Sequence, residues 1–121
     1  MLAEIKSKYH EFGDAVISEI IYSVTGDYKR NVVVKLNAYN WQIDKREAIT
    51  LSFGNVVKFR FSETKKTNST VIFEAYIGKI DDLIIFDFFA LQISQNKVAE
   101  DPNSDFVIHC KDMKYEVMPF P

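Results

Sequence analysis

Residues 83–91, LIIFDFFAL, form the most apolar run of the chain, and this run carries a single acid, Asp87, at its centre. Side chains alternate between the two faces of a strand, so one face of the run is entirely apolar and the other holds Asp87 between apolar neighbours. A strand that is apolar on both faces is usually central and covered on both sides. The run therefore predicts a strand at the middle of the fold, with an N-terminal helix covering the face of Asp87.

Asp87 is the first candidate for a special role, because an ionised carboxylate in an apolar face is costly unless it is paired or hydrogen-bonded. The more polar faces of other predicted strands carry charged residues that include Lys35, Lys58, Arg60 and Glu74. We interpret Asp87 as a structural acid with a cross-strand partner, and we expect Asp87→Ala to lower stability. A functional carboxylate in a cleft is the alternative.

The pattern outside this run changes from helical to extended after the first residues. Leu2, Ile5, Tyr9 and Phe12 recur at spacings of three and four, which predicts a helix that ends at Gly13. Alternating patterns then predict strands over residues 15–24, 32–39, 48–53, 56–62, 71–77, 83–91 and 106–118. Residues 54–55 predict a bend or bulge, and residues 94–105 predict a polar loop. The inward face of the strand at 71–77 is predicted to consist of Val71, Phe73, Ala75 and Ile77.

These connections are short, and short connections favour antiparallel pairing, because parallel strands need long crossovers. The sequence predicts a single domain over residues 1–121 with a mainly β (α+β) fold. We expect a curved antiparallel sheet or a small sandwich of about six to eight strands, with the short N-terminal helix packed on it.

The bulk composition narrows the class of protein. The chain has 121 residues, a formal net charge of −2 and one cysteine. We expect no nucleic-acid partner, because no basic surplus is present, and no membrane span, because every apolar run falls far short of about 18 residues. The first residues contain no apolar signal core, and a lone cysteine suits a reducing compartment, so we expect a cytoplasmic protein.

The histidines and the cysteine do not predict a catalytic or metal site. His10 and His109 lie far apart, and His109 adjoins Cys110, so the two would point to opposite faces of one strand. Alternation groups Cys110 with Phe106 and Ile108 in the core rather than with a base that would activate the thiol. We expect no enzyme activity and no cofactor.

A partial calcium-loop pattern occurs at residues 101–105, DPNSD. Asp101, Asn103 and Asp105 occupy the first, third and fifth positions of such a loop. Phe106 stands where glycine is required, and Asp112 stands where a bidentate glutamate is required. The stretch is better interpreted as a polar turn.

Trp41 lies next to Tyr39 and Asn40 in a predicted loop. Exposed aromatic residues on loops are favoured binding anchors. Large aromatic side chains are nevertheless generally well buried, so we expect Trp41 to fold back and plug one end of the sheet.

Three blocks of the sequence resemble a known family. They are FGDAVISEIIY at residues 12–22, ITLSFGNVVKFRFSE at 49–63 and SDFVIHCKDMKYEVMP at 104–119. Together they resemble the immunity-protein 50 family of bacterial polymorphic toxin systems and related uncharacterised small bacterial proteins. Gly13 stands where that family has a histidine. The matching positions are Phe12, Asp14, Ala15, Phe106, Cys110, Val117 and Pro119.

The resemblance implies a non-enzymatic intracellular protein that neutralises a toxin by binding it. A protein partner, such as a toxin domain, would be contacted by exposed acids and loop aromatics. Candidate contact residues are Asp14, Asp27, Tyr28, Tyr39, Trp41, Asp44, Asp81 and Asp82. Two alternatives remain open, a β domain that binds a small apolar ligand and a structural homodimer formed through an exposed sheet edge or the Leu83 face.

Overall fold

A computed structural model describes residues 1–63, 71–72, 74–94 and 97–118. The chain begins with a helix, α1, and continues as eight strands. The elements are α1 (Leu2–Tyr9), β1 (Val16–Val24), β2 (Arg30–Asn40), β3 (Lys45–Phe61), β4 (Tyr76–Ile80), β5 (Leu83–Asp87), β6 (Leu91–Ser94), β7 (Lys97–Ala99) and β8 (Phe106–Met118).

Six of the strands form one open antiparallel sheet in the order β1-β2-β3-β8-β5-β4, and β6 pairs with β7 in a separate two-stranded sheet. Every pairing between these strands is antiparallel. The prediction of a mainly β antiparallel fold with an N-terminal helix is confirmed. Strands β3 and β8 pair along almost their whole length, so they join the two halves of the sheet.

The predicted bend at residues 54–55 lies inside the long strand β3. Asn55 has a φ of 49°, and the register against β8 shifts between Val56 and Lys58. An extra residue in one strand of a pair increases the local twist. The sheet consequently curls, and the ring of Tyr22 on β1 stacks on Phe59 beyond the bulge, with centroids 5.4 Å apart.

The core lies on the inner face of this curled sheet, beneath α1. Ile5, Tyr9 and Phe12 are buried there. The ring of Phe12 lies 5.7 Å from that of Phe86 on β5. The helix ends at Tyr9 rather than at Gly13, because the backbone turns sharply at two left-handed residues, His10 (φ 55°) and Phe12 (φ 57°). This turn directs Phe12 into the core after the helix has stopped.

The segment before β4 differs from the prediction. Ala75 and Ile77 are buried as predicted, but Ile72 is buried instead of Val71, which is 39% exposed. The inward position at the start of the segment is therefore shifted by one residue, and such a shift exchanges the two faces of an extended chain. The backbone explains the shift, because Ile72 exchanges hydrogen bonds with Asp14 and Ala15 at the start of β1. Phe73 lies outside the described residues.

Candidate functional site

Asp87 ends strand β5 and is fully buried. Its carboxylate accepts hydrogen bonds from the backbone N–H of Phe89 at 3.0 Å and from that of Asp101 at 2.7 Å. The hydroxyl of Ser104 donates a third hydrogen bond to the carboxylate. The hydroxyl oxygen of Ser104 in turn accepts a hydrogen bond from the backbone N–H of Phe106 at 3.2 Å. Within the described residues no cation forms an ion pair with Asp87. The predicted structural acid is therefore held by hydrogen bonds rather than by a charged cross-strand partner.

The cover over Asp87 is also different from the prediction. The N-terminal segment packs on the opposite face of β5, where Phe12, which follows the helix, contacts Phe86. The face of Asp87 is covered instead by the chain that returns to β8, where Asp101 and Ser104 contact the carboxylate. Glu100 of this segment contacts His109, the cross-strand neighbour of Ile85. Residues 94–105 were predicted to be a polar loop, and β7 lies within them.

Burial raises the pKa of the Asp87 carboxyl above its ordinary value of 3.8, and the hydrogen bonds from Ser104, Asp101 and Phe89 counteract that rise only in part. The carboxylate has a raised pKa and accepts three hydrogen bonds, so it serves the donor groups of the segment that covers it. This arrangement explains Asp87 as a structural group.

The raised pKa predicts how stability depends on pH. Above pH 3.8 and up to the raised value, the folded protein keeps a proton that the unfolded chain has already released. The contribution of Asp87 to the free energy of unfolding should therefore fall as the pH rises through this window. Urea unfolding of the wild type and of Asp87→Asn from about pH 4 to about pH 8 measures it. The difference between the two proteins should shrink with rising pH and then stay level, and parallel pH profiles would contradict the assignment.

A second candidate lies in the turn between β2 and β3. We call it the Trp41 surface, and it consists of Tyr39, Trp41, Ile43 and Asp44. Trp41 is 58% exposed and Ile43 is 52% exposed. The expectation that Trp41 plugs the end of the sheet is wrong. That end is already closed by Tyr9, whose hydroxyl donates to Glu47 at 3.0 Å.

Trp41 is exposed but firmly positioned against α1. Its indole lies parallel to the ring of His10, with centroids 5.3 Å apart and an interplanar angle of 4°. The ring of Tyr39 meets the indole edge-on at 4.7 Å. The backbone N–H of Trp41 donates to the carbonyl of Lys8 at 2.8 Å. One face of the indole is thus covered, and the ring is held in place from the side of the helix.

Asp14 belongs to the same end of the molecule. Arg46, the cross-strand neighbour of Tyr39, donates to the backbone carbonyl of Asp14 at 3.2 Å and also to the side chain of Asn37. The structure therefore brings the backbone of Asp14 to the strand pair that carries Tyr39.

The remaining predicted contact residues lie in other turns. Asp27 and Tyr28 lie between β1 and β2, where Asp27 is hydrogen-bonded to Thr25. Asp81 and Asp82 lie between β4 and β5, which are separated from β2 and β3 by β8. The eight predicted residues therefore do not form one surface.

The backbone conformation explains why aspartate occurs at several of these candidate positions. Asp14, Asp44 and Asp81 have φ values of 64°, 57° and 56°. Aspartate tolerates this left-handed region better than most residues. Turn formation alone accounts for these three aspartates, so their presence is not by itself a sign of a partner. Tyr28, at φ 64° and 87% exposed, has no such preference.

Sequence reasoning missed Ile43 and the role of His10. The helix was predicted to run to Gly13, and the contact of His10 with Trp41 depends on the helix ending at Tyr9. Ile43 is a single apolar residue in a polar turn, and a single residue carries no periodic signal.

Cys110 and the partial calcium loop are structural. Cys110 is fully buried, and burial raises the pKa of its thiol to about 11. The thiol is therefore protonated at neutral pH, which confirms its assignment to the core. In the loop, Asn103 donates its backbone N–H to the side chain of Asp101 at 2.8 Å, which is the contact of a polar turn.

The part of the chain that the structure describes brings no three His, Cys, Asp or Glu side chains together in a way that could hold a metal ion. None of its helices has the length and apolar character needed to cross a membrane.

Comparison with protein-family models, with curated proteins and with solved structures gave no match. The resemblance to the immunity family stays a prediction, and the functional argument rests on the geometry of the Trp41 surface.

Proposed function

We propose that this chain is a non-enzymatic, intracellular protein-binding module of the immunity type, which neutralises a toxin by occluding it. The Trp41 surface is the proposed contact region, with Asp14 at its border. The sequence resemblance supports the partner class, and the exposed, ordered ring of Trp41 supports the proposed location of the contact. A cytoplasmic location is part of the same proposal and agrees with the single, reduced cysteine.

The observation that carries the proposal is an exposed tryptophan held in place before any partner arrives. Trp41 is 58% exposed, yet His10 and Tyr39 fix its ring and Lys8 fixes its backbone. Tryptophan is among the residues that contribute most to binding free energy in interfaces. A ring that is already ordered loses little conformational entropy on binding, so more of its contact energy contributes to affinity.

The neighbours of Trp41 suit a protein interface. Ile43 adds a second exposed apolar side chain, and Asp14 and Asp44 lie exposed at the same end. An apolar centre with a polar rim is the common composition of such interfaces. The two acids would complement a basic partner, such as a toxin that acts on nucleic acid, and would speed association.

A small apolar ligand inside the sheet is less well supported. The rings of Phe86 and Phe88 lie 4.3 Å apart, and Phe88 stacks on Phe106 at 4.0 Å. These packed rings occupy the space on the inner face that a ligand would need, so binding there would require their displacement.

The test is whether capture of a partner depends on Trp41. Tagged wild type, Trp41→Ala and Tyr28→Ala are used in pull-downs from the native host, and the captured protein is identified by mass spectrometry. Tyr28 is the matched control, because it is an exposed aromatic residue in a different turn. We expect one stoichiometric partner, bound about 30-fold more weakly by Trp41→Ala and within about threefold of wild type by Tyr28→Ala.

The melting temperatures of both variants should stay near that of the wild type, which separates lost binding from lost folding. Equal capture by Trp41→Ala and wild type would refute the proposed surface. Recovery of the tagged chain without a stoichiometric partner would refute the binding-module proposal itself.

A further inference from the structure

A cleft of about 300 Å³ lies between the end of α1, the start of β4 and strand β7. Residues from three separate parts of the sequence line it. They are Lys6, His10, Glu11, Ala75, Tyr76, Ile77, Lys97 and Val98. The volume is at the lower end of the range for small-molecule sites.

The polar lining has a surplus of donors and positive charge. Lys6 lies in the last turn of α1, His10 directly follows the end of the helix, and Lys97 enters from β7. Among the described residues that line the cleft, Glu11 is the only acid. Among the described residues, neither lysine forms an ion pair. This local surplus contrasts with the formal net charge of −2 of the whole chain.

Helix stabilisation does not explain the whole set. A lysine in the last turn of a helix is favoured by the helix dipole, and this accounts for Lys6. Lys97 belongs to a strand and has no such reason to face the same cleft. Two cations from unrelated elements that point into one concave space are a feature of the tertiary structure.

The other walls are apolar and preorganised. Ala75 and Ile77 are buried beside the cleft, and Val98 is partly buried. The ring of Tyr76 lies so close over Gly78 that any side chain at position 78 would collide with it. The stack on Trp41 holds the ring of His10, which can donate an N–H in either charge state.

We propose that this cleft binds a small organic monocarboxylate, with the carboxylate between Lys6, His10 and Lys97 and an apolar body against Ile77 and Val98. Lysine and histidine supply charge-assisted hydrogen bonds to the carboxylate. The apolar wall supplies the preference for a carboxylic acid over a plain inorganic anion. This proposal does not rest on protein binding at the Trp41 surface, although His10 contacts both the cleft and Trp41.

The experiment is an NMR titration of the ¹⁵N-labelled full chain with benzoate, benzamide and inorganic phosphate. Benzamide keeps the ring without the charge, and phosphate keeps the charge without the ring. We expect benzoate to cause saturable shifts in the amides of His10, Tyr76 and Val98, while benzamide and phosphate bind at least about fivefold more weakly.

Lys97→Gln should weaken benzoate binding about fivefold, and Lys79→Gln, an exposed lysine of β4 outside the cleft, should leave it unchanged. Lys6→Gln is the second variant, and the amide spectrum of each variant reports whether it is folded. Four results would overturn the proposal. They are shifts that do not saturate, benzamide as effective as benzoate, phosphate as tight as benzoate, or no loss of affinity in either cleft variant.

Discussion

Asp87→Ala is expected to lower the free energy of unfolding by about 3–5 kcal/mol, one of the two largest effects predicted for a single residue of this chain. The substitution removes the acceptor of the N–H groups of Phe89 and Asp101 and of the hydroxyl of Ser104. The part-buried N–H groups of Phe89 and Asp101 would lose this acceptor, and the buried Ser104 hydroxyl would keep only the carbonyl of Phe106. The missing carboxyl would also leave a small void. Asp87→Asn should cost less, about 1–3 kcal/mol, because the amide keeps one oxygen acceptor.

Urea unfolding measures both variants, with Asp82→Ala as the matched control. Asp82 is an exposed acid in the turn before β5, and its loss should change stability by no more than about 0.5 kcal/mol. Amide hydrogen exchange at Phe89 and Asp101 should accelerate in Asp87→Ala more than exchange in β2. An Asp87→Ala variant with the unfolding midpoint of the wild type would refute the role assigned to this carboxylate.

Phe86→Ala is expected to lower the free energy of unfolding by about 3–5 kcal/mol as well. Phe86 is fully buried, and its ring lies 5.7 Å from Phe12, 5.6 Å from Phe53 and 4.3 Å from Phe88. It therefore links the chain after the helix to both halves of the curled sheet. Removing the ring forfeits its burial and leaves a cavity that rigid neighbours cannot fill.

Phe61→Ala is the matched control for this ring. Phe61 also contacts a core aromatic residue, Phe106, at 5.2 Å, but it is 40% exposed. Its loss should cost about 1–2 kcal/mol, because less apolar surface returns to water. Equal unfolding free energies for the two variants, measured in urea, would contradict the central position given to Phe86.

The fold class was predictable because alternation is a local signal. Hydrophobic residues recur every second position along β2 and in the first part of β8, and a residue such as Cys110 is assigned to the core by its strand neighbours alone. The register of residues 71–72 was not predictable. The hydrogen bonds of Ile72 with Asp14 and Ala15 decide which side chain faces inward, and this pairing joins distant parts of the chain.

Asp87 shows the same limit at a single residue. Its burial and structural role follow from the apolar run, but its partners do not. Two of its donors are backbone N–H groups, and every residue other than proline carries one. The sequence therefore does not indicate which N–H groups will contact the carboxylate. Trp41 was misplaced for a related reason, because the space it was expected to fill is taken by Tyr9.

The hydrogen bonds of Asp87 have a consequence for how this protein tolerates change. Phe89 and Asp101 lie near the two ends of the excursion that leaves the sheet after β5 and returns before β8, and a single carboxylate holds both. The ends are thus clamped together whatever lies between them, and lengthening a closed loop adds little entropic cost. Residues inserted between Phe89 and Asp101 should therefore cost the six-stranded sheet little stability, which makes this excursion a suitable place to graft a short segment.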